Sequence, residues 1–189
     1  MWYNKENCCW ARLGNKSNAI LQKHKKGWYL IMALETYFDF AENDFNYFTQ
    51  SYRAGIVANM MGAMAQGICE KYMKYIITEY DSIETSKEES QHNKILSTRS
   101  LDCLLKYLDK KMELPFSSDA KNAMKMIDGY YFSTRYPGDD SIELDQSDIE
   151  QCAIAINLCR EEVLNMIKEI EELEESNEEP SVSDDDFEL

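Results

Sequence analysis

Apolar and polar positions alternate along most of this chain with the period of a helix. Between residues 28 and 48, Leu30, Ile31, Leu34, Phe38, Ala41 and Phe45 recur in steps of three and four and predict a first helix, with Asn43 and Asp44 as its weak point. Residues 51–80 predict a second. Ile56, Val57, Met60, Met61, Met64, Ile68, Tyr72 and Ile76 form its stripe, and the small residues Ala54, Gly55, Ala58, Gly62, Ala63, Ala65 and Gly67 thread through it. An interior glycine costs a helix roughly 0.5–1 kcal/mol against alanine. Close approach of another backbone offsets that cost, and the approaching element is a helix of the same bundle or a dimer mate. Residues 81–93, rich in Ser and Glu, read as a loop.

A third helix, capped by Ser97 or Thr98, carries Leu101, Leu104, Leu105 and Leu108 and stops before Pro115. Ser117, Ser118 and Asp119 open a fourth, with Ala120, Ala123, Met124, Ile127, Tyr130 and Tyr131 on its face. The run Tyr136-Pro137-Gly138-Asp139-Asp140 breaks it, and a loop continues to about residue 146. Ser147 with Glu150 suggests a capping box at the start of the last helix. There Ile149, Cys152, Ile156, Cys159, Val163, Met166, Ile170 and Leu173 make an unbroken heptad seam. That seam reads as a core-facing bundle helix, with a coiled-coil dimer seam as the alternative. No alternating run makes a convincing strand. The fold class is all-α: an antiparallel bundle of five helices, or four at the least.

Composition agrees. With 7 Gly and 3 Pro in 189 residues, few tight turns are available. Charge changes the picture more. Twenty Lys and Arg face 35 Asp and Glu, for a net charge of −15. Phosphates and anionic lipids repel such a chain, so neither general nucleic-acid binding nor membrane binding is expected. The charge is uneven: residues 1–27 hold six basic groups and one acid, and residues 169–189 hold eleven acids and no base. The layout is therefore a basic arm (1–27), a helical body (28–175) and an acidic disordered tail (176–189). No secretory signal follows Met1 and no apolar run is long enough to cross a bilayer, so a cytoplasmic location with reduced thiols is expected.

Catalytic signatures are sparse. The six cysteines form no C-x-x-C pair, and the two histidines, His24 and His92, form no H-E-x-x-H. P-loop and G-x-S-x-G patterns are missing as well. The acid pairs Asp139–Asp140 and Glu171–Glu172 read as solvated, so no metal and no cofactor is expected. The informative stretch is 128–139, where Tyr130, Tyr131, Phe132, Arg135 and Tyr136 stand at a helix end before Asp139. A guanidinium among flat rings suits a phosphate or a nucleotide base. The structural alternative is that Arg135 pairs with Asp139 or Asp128 and locks the corner while the aromatics fill the core.

The run Tyr130-Tyr131-x-x-Thr134-Arg135-Tyr136-Pro137-Gly138-Asp139 resembles the Y-x-x-T-R-Y-P-D segment of the HEPN (higher eukaryotes and prokaryotes nucleotide-binding) domain, with Gly138 inserted before the acid. Ala65, Glu70, Lys71 and Lys74 are similar to that family's A-x-x-A-x-E-K-x-L-K-A-L helix. His92 with Ile95 and Leu96 looks like its H-x-L-x-x-L entry. The resemblance covers about residues 28–175. It implies a bundle of four or five helices, commonly a homodimer. Many members are metal-independent endoribonucleases with an R-x(4–6)-H motif, acting as toxins or antiviral effectors, while others are partners of nucleotidyltransferases or nucleotide-binding modules.

The nuclease pattern is not met. The positions a histidine would need are Asp140, Ser141 and Ile142 after Arg135, and Ala58, Asn59 and Met60 after Arg53. Neither histidine has an arginine five to seven residues before it. The expected function is therefore a non-catalytic module for self-association or partner binding, with a nucleotide or phosphate subsite of Tyr130, Tyr131, Arg135, Tyr136 and Asp139. The competing readings are a divergent endoribonuclease of a toxin–antitoxin or phage-defence system, and an acidic binding protein that mimics nucleic acid.

Overall fold

A computed structural model of the chain describes residues 19–24, 27–32 and 34–177. Seven helical segments follow a hairpin in chain order. They are α1 (Tyr37–Arg53), α2 (Asn59–Tyr80), α3 (Ser86–Ser97), α4 (Leu101–Lys111), α5 (Ser118–Ile127), the single turn α6 (Tyr130–Ser133) and α7 (Gln146–Asn177). The body is an all-α bundle. The basic arm falls largely outside the described residues, and residues 178–189 of the acidic stretch fall wholly outside them.

The hairpin corrects the expected start of the first helix. β1 (Ala19–His24) pairs antiparallel with β2 (Gly27–Met32), in the register Ala19 to Met32 and His24 to Gly27. The run 27–32 is short, apolar and aromatic, and periodicity alone does not separate strand from helix there. The helix starts where its amides find a cap. The Thr36 hydroxyl accepts from the Asp39 N–H at 3.2 Å, and the Asp39 carboxylate accepts from the Thr36 N–H at 2.9 Å. Asn43 and Asp44 do not break α1, which runs on to Arg53. The break falls at residues 54–58, where Gly55 takes φ +71°.

Two further expectations shift. Residues 81–93 contain the start of α3, set by a capping box between Thr85 and Glu88. Ser100, rather than Ser97 or Thr98, caps α4. Ser117 caps α5 as its sequence suggests. α7 opens one residue before Ser147, with Asp145 and Asp148 exchanging N–H to carboxylate bonds at 2.9 and 3.0 Å. It continues to Asn177, two residues into the tail expected to be disordered from residue 176.

α2 is the hub. It packs on α1, α4, α5, α6 and α7, which explains why its stripe is broad and why small residues run through it. Ile68, Cys69, Tyr72, Met73, Ile76 and Ile77 are fully buried. The heptad seam of α7 is spent inside the chain: every seam residue from Ile149 to Met166 is buried, and α7 packs on α2 and α5. Leu173, at 64 % exposure, lies past that packed part.

At the far end of α2, Asp81 gathers three donors. Tyr107 Oη reaches its Oδ2 at 2.6 Å, Lys111 Nζ reaches Oδ1 at 3.0 Å, and His92 Nδ1 lies 3.0 Å from Oδ2. This node fastens α3 and α4 to α2. It also gives His92 a carboxylate partner, consistent with its place as the entry to the α3–α4 unit.

Candidate functional site

The site is built on the corner between α5 and α7. Gly129 makes the turn out of α5 with φ +102°, a conformation a side chain would strain. Asp128, just before it, caps a different helix. Its carboxylate accepts from the N–H groups of Leu101 and Asp102 at 3.0 and 3.1 Å and from the Ser100 hydroxyl at 3.1 Å. A negative charge there meets the positive end of the α4 dipole.

Gln66 on α2 holds the corner from below. It is 2 % exposed. Its Oε1 accepts from the Tyr131 N–H at 2.7 Å and the Gly129 N–H at 3.1 Å, while its Nε2 donates to the Arg99 carbonyl at 2.7 Å. One amide therefore satisfies backbone groups of two loops that no helix could pair.

Above Gln66 stand two arginines and a ring. The Arg99 guanidinium carbon lies 4.1 Å from the Tyr131 ring centroid, and that of Arg135 lies 4.6 Å from the same centroid. Arg135 is also 5.5 Å from the Tyr136 ring. Such contacts hold a guanidinium flat without consuming its N–H donors. Arg99 has one carboxylate nearby, Glu70 at 3.6 Å, and Glu70 is shared with Lys74 at 2.7 Å. Arg135 is exposed and has no carboxylate at ion-pair distance among the described residues. Asp128 is engaged at α4 instead, and Asp139 sits exposed on the loop beyond Pro137.

Beside Arg135 opens a cleft of about 740 Å³. Thr134, Arg135 and Tyr136 form one wall, Val57 and Asn59 the second, and Ile142 and Glu143 the third. Asn59 fixes the third wall to α2, because its Nδ2 donates to the Ile142 carbonyl at 2.9 Å and its Oδ1 accepts from the Leu144 N–H at 2.9 Å. Tyr130 turns inward. Its ring, Leu144 and Thr134 pack on Gly62, where a Cβ would lie 2.5 Å from Leu144 Cδ1 and 3.0 Å from Tyr130 Cδ2. Here the small-residue stripe of α2 meets elements of its own chain. Burial first, and then the Asp148 charge, push the Tyr130 hydroxyl pKa up, so it stays protonated.

Of the five residues singled out in the sequence, Tyr131, Arg135 and Tyr136 come together. Tyr130, at the start of α6, packs against Gly62 of α2, and Asp139 stands exposed on the loop. Arg99, Gln66 and Asn59 belong to the same construction and escaped sequence reading, since each works through partners 32 to 85 residues away. His92, held by Asp81, does not line the cleft, and the His24 side chain lies outside the described residues. Among the described residues, no three His, Cys, Asp or Glu side chains converge on a point where a metal ion would sit, and no helix is long and apolar enough to cross a membrane.

The arrangement can hold an anion at Arg135: its guanidinium offers paired N–H donors beside a cleft that is open to solvent. Neither a curated protein nor a solved structure matches the chain. The model of the HEPN domain matches residues 34–176. That span takes in the α2 hub, the His92 entry and the T-R-Y-P corner, and the chain belongs to the HEPN domain family.

Proposed function

We propose that this HEPN domain is a non-catalytic module that pairs with a second copy or another protein and holds a nucleotide or phosphate group at Arg135. The observation that carries the reading is the state of Arg135: exposed, oriented by Tyr131 and Tyr136, and without a carboxylate partner among the described residues. A structural arginine at a helix corner would spend its donors on an acid; this one keeps them for a ligand.

Pairing draws support from the rim of the same cleft. Ile56, Val57, Met60, Phe132, Tyr136 and Ile142 are large apolar side chains left exposed on the 54–60 segment, α6 and the site loop. A partner covering that rim would also close the cleft over its anion. Proton transfer lacks a described imidazole at the cleft, and a carboxylate in that place would repel a phosphodiester.

The test is binding of a mononucleotide and of inorganic phosphate to the full chain, with Arg135→Ala and Arg99→Ala alongside. At least a tenfold loss of affinity in Arg135→Ala, with unchanged helical circular dichroism, supports the reading. Equal affinities remove the subsite. Incubation with tRNA or single-stranded RNA is the second arm: cleavage that disappears in Arg135→Ala would establish a ribonuclease and overturn the non-catalytic reading. Sedimentation of the wild type and Met60→Asp checks the pairing.

A further inference from the structure

Among the described residues, α3 and α4 form a face that is basic on balance. Residues 86–112 hold six basic and four acidic side chains in a protein of net charge −15. Between the two helices runs a groove of about 360 Å³. Its floor is apolar, made by Ile95 and the ring of Tyr107, and its rim carries Lys94, Lys106, Lys110 and Lys111. Lys106 is paired with Asp102 and Lys111 with Asp81. Lys94 and Lys110 are exposed and have no carboxylate at ion-pair distance among the described residues. Lysine stems lie along apolar surface while their ammonium heads stay free, so a groove of this kind selects an apolar side chain flanked by acids.

The chain contains such a segment. Asp184-Asp185-Asp186-Phe187-Glu188-Leu189 sets an aromatic and a leucine among four carboxylates, within a twelve-residue stretch (178–189) that has no basic group. Its attachment point suits the groove. Ile170 of α7 shares a cleft with Lys111 and Met112 at the end of α4, and Lys111 also lines the lysine groove. α7 goes on for seven residues past Ile170, about 10 Å of rise, and the six residues 178–183 that lead to Asp184 can span up to about 20 Å.

We infer that residues 184–189 dock in the α3–α4 groove of their own chain, Phe187 on the floor and the carboxylates on Lys94 and Lys110. The acidic segment then serves as an internal ligand that any external acidic partner of this face must displace. This surface is separate from the Arg135 cleft, so the inference stands or falls independently of the proposed function.

Cys103 lines the same groove and is exposed, whereas Cys69, Cys152 and Cys159 are buried. With Cys8→Ser and Cys9→Ser as background, the rate of Cys103 alkylation by iodoacetamide reports whether the groove is covered. The comparison is the full chain against Phe187→Ser/Leu189→Ser, which leaves every charge in place. Docking predicts at least a fivefold faster reaction in the variant at low salt and a smaller difference in 0.5 M NaCl. Carbodiimide cross-linking of mixed isotope-labelled and unlabelled chains supplies the second readout, with Lys94 or Lys110 joined to residues 184–188 of the same chain. Equal Cys103 rates without those cross-links overturn the inference. Cross-links found only between labelled and unlabelled chains overturn the intrachain form and assign the groove to a second copy.

Discussion

Arg160 of α7 grips Glu42 of α1 with two nitrogens, Nε on Oε1 at 2.6 Å and Nη2 on Oε2 at 3.1 Å. The Tyr72 hydroxyl of α2 donates to the same Oε1 at 2.6 Å, so three helices close on one buried carboxylate. Burial first, then the bond to Glu42, holds the Tyr72 phenol far above its ordinary pKa and keeps it a donor at every working pH. Arg160→Ala leaves Glu42 charged with the tyrosine alone. We expect a loss of about 2–4 kcal/mol in urea unfolding. In Glu42→Leu/Arg160→Met much of that loss should return, because neither charge is then stranded. A double variant as unstable as Arg160→Ala would contradict this account.

The two interior glycines of α2 should behave oppositely. At Gly62 a Cβ meets Leu144 Cδ1 at 2.5 Å, so Gly62→Ala must displace the Leu144 side chain in a place where Tyr130 and Thr134 also press, and should cost about 1–3 kcal/mol. At Gly67 the nearest atom is the Lys71 Nζ at 3.5 Å, an ordinary contact. There the helix-propensity gain remains, and Gly67→Ala should stabilise by up to about 1 kcal/mol. Thermal unfolding of the pair decides the matter; equal shifts would remove the close-packing explanation.

Gln66→Leu keeps the bulk and deletes the amide. The N–H groups of Gly129 and Tyr131 and the Arg99 carbonyl, which are part-buried, lose a partner that is itself buried. The expected cost is about 2–4 kcal/mol, with weaker phosphate binding as a second consequence because Tyr131 and Arg99 move. Undiminished affinity in a destabilised variant would show that the corner is positioned by other contacts.

Acid should loosen the α2–α3–α4 junction. Burial pushes the Asp81 pKa up, but the bonds from His92, Tyr107 and Lys111 together outweigh it and hold the carboxyl below its usual value. A depressed native pKa means that the ionised form favours the fold. That stability is complete above the unfolded value near pH ~4 and is lost as pH falls through the native one. Asp81→Asn should therefore be less stable at pH 7 and show a flatter decline below pH ~4. Parallel acid slopes for the two proteins would exclude Asp81 as the source.

Bundle class and the T-R-Y-P corner were legible in the sequence because both are local: a period of three to four residues, and one contiguous segment. α3 was hidden by its Ser and Glu content, although Thr85 and Glu88 already spelled its capping box. The start of α1 was hidden because Asp39, rather than the usual Glu or Gln, closes the Thr36 box. Arg99, Gln66 and Asn59 left no local mark at all. Their meaning lies in partners that only the folded chain brings within reach.

The stretch from Tyr136 to Ser141 is an excursion with fixed ends. On one side Ser133 accepts from the Ile142 N–H at 2.9 Å, on the other Asn59 pins residues 142 and 144, and between them a Cβ added at Gly138 would meet nothing within 4 Å. Lengthening it would tax only loop closure, about 0.6 kcal/mol for each doubling, with no helix disturbed. The inserted Gly138 sits in that tolerant span. Half a dozen residues beside the arginine corner can thus be edited while the framework beneath is inherited intact.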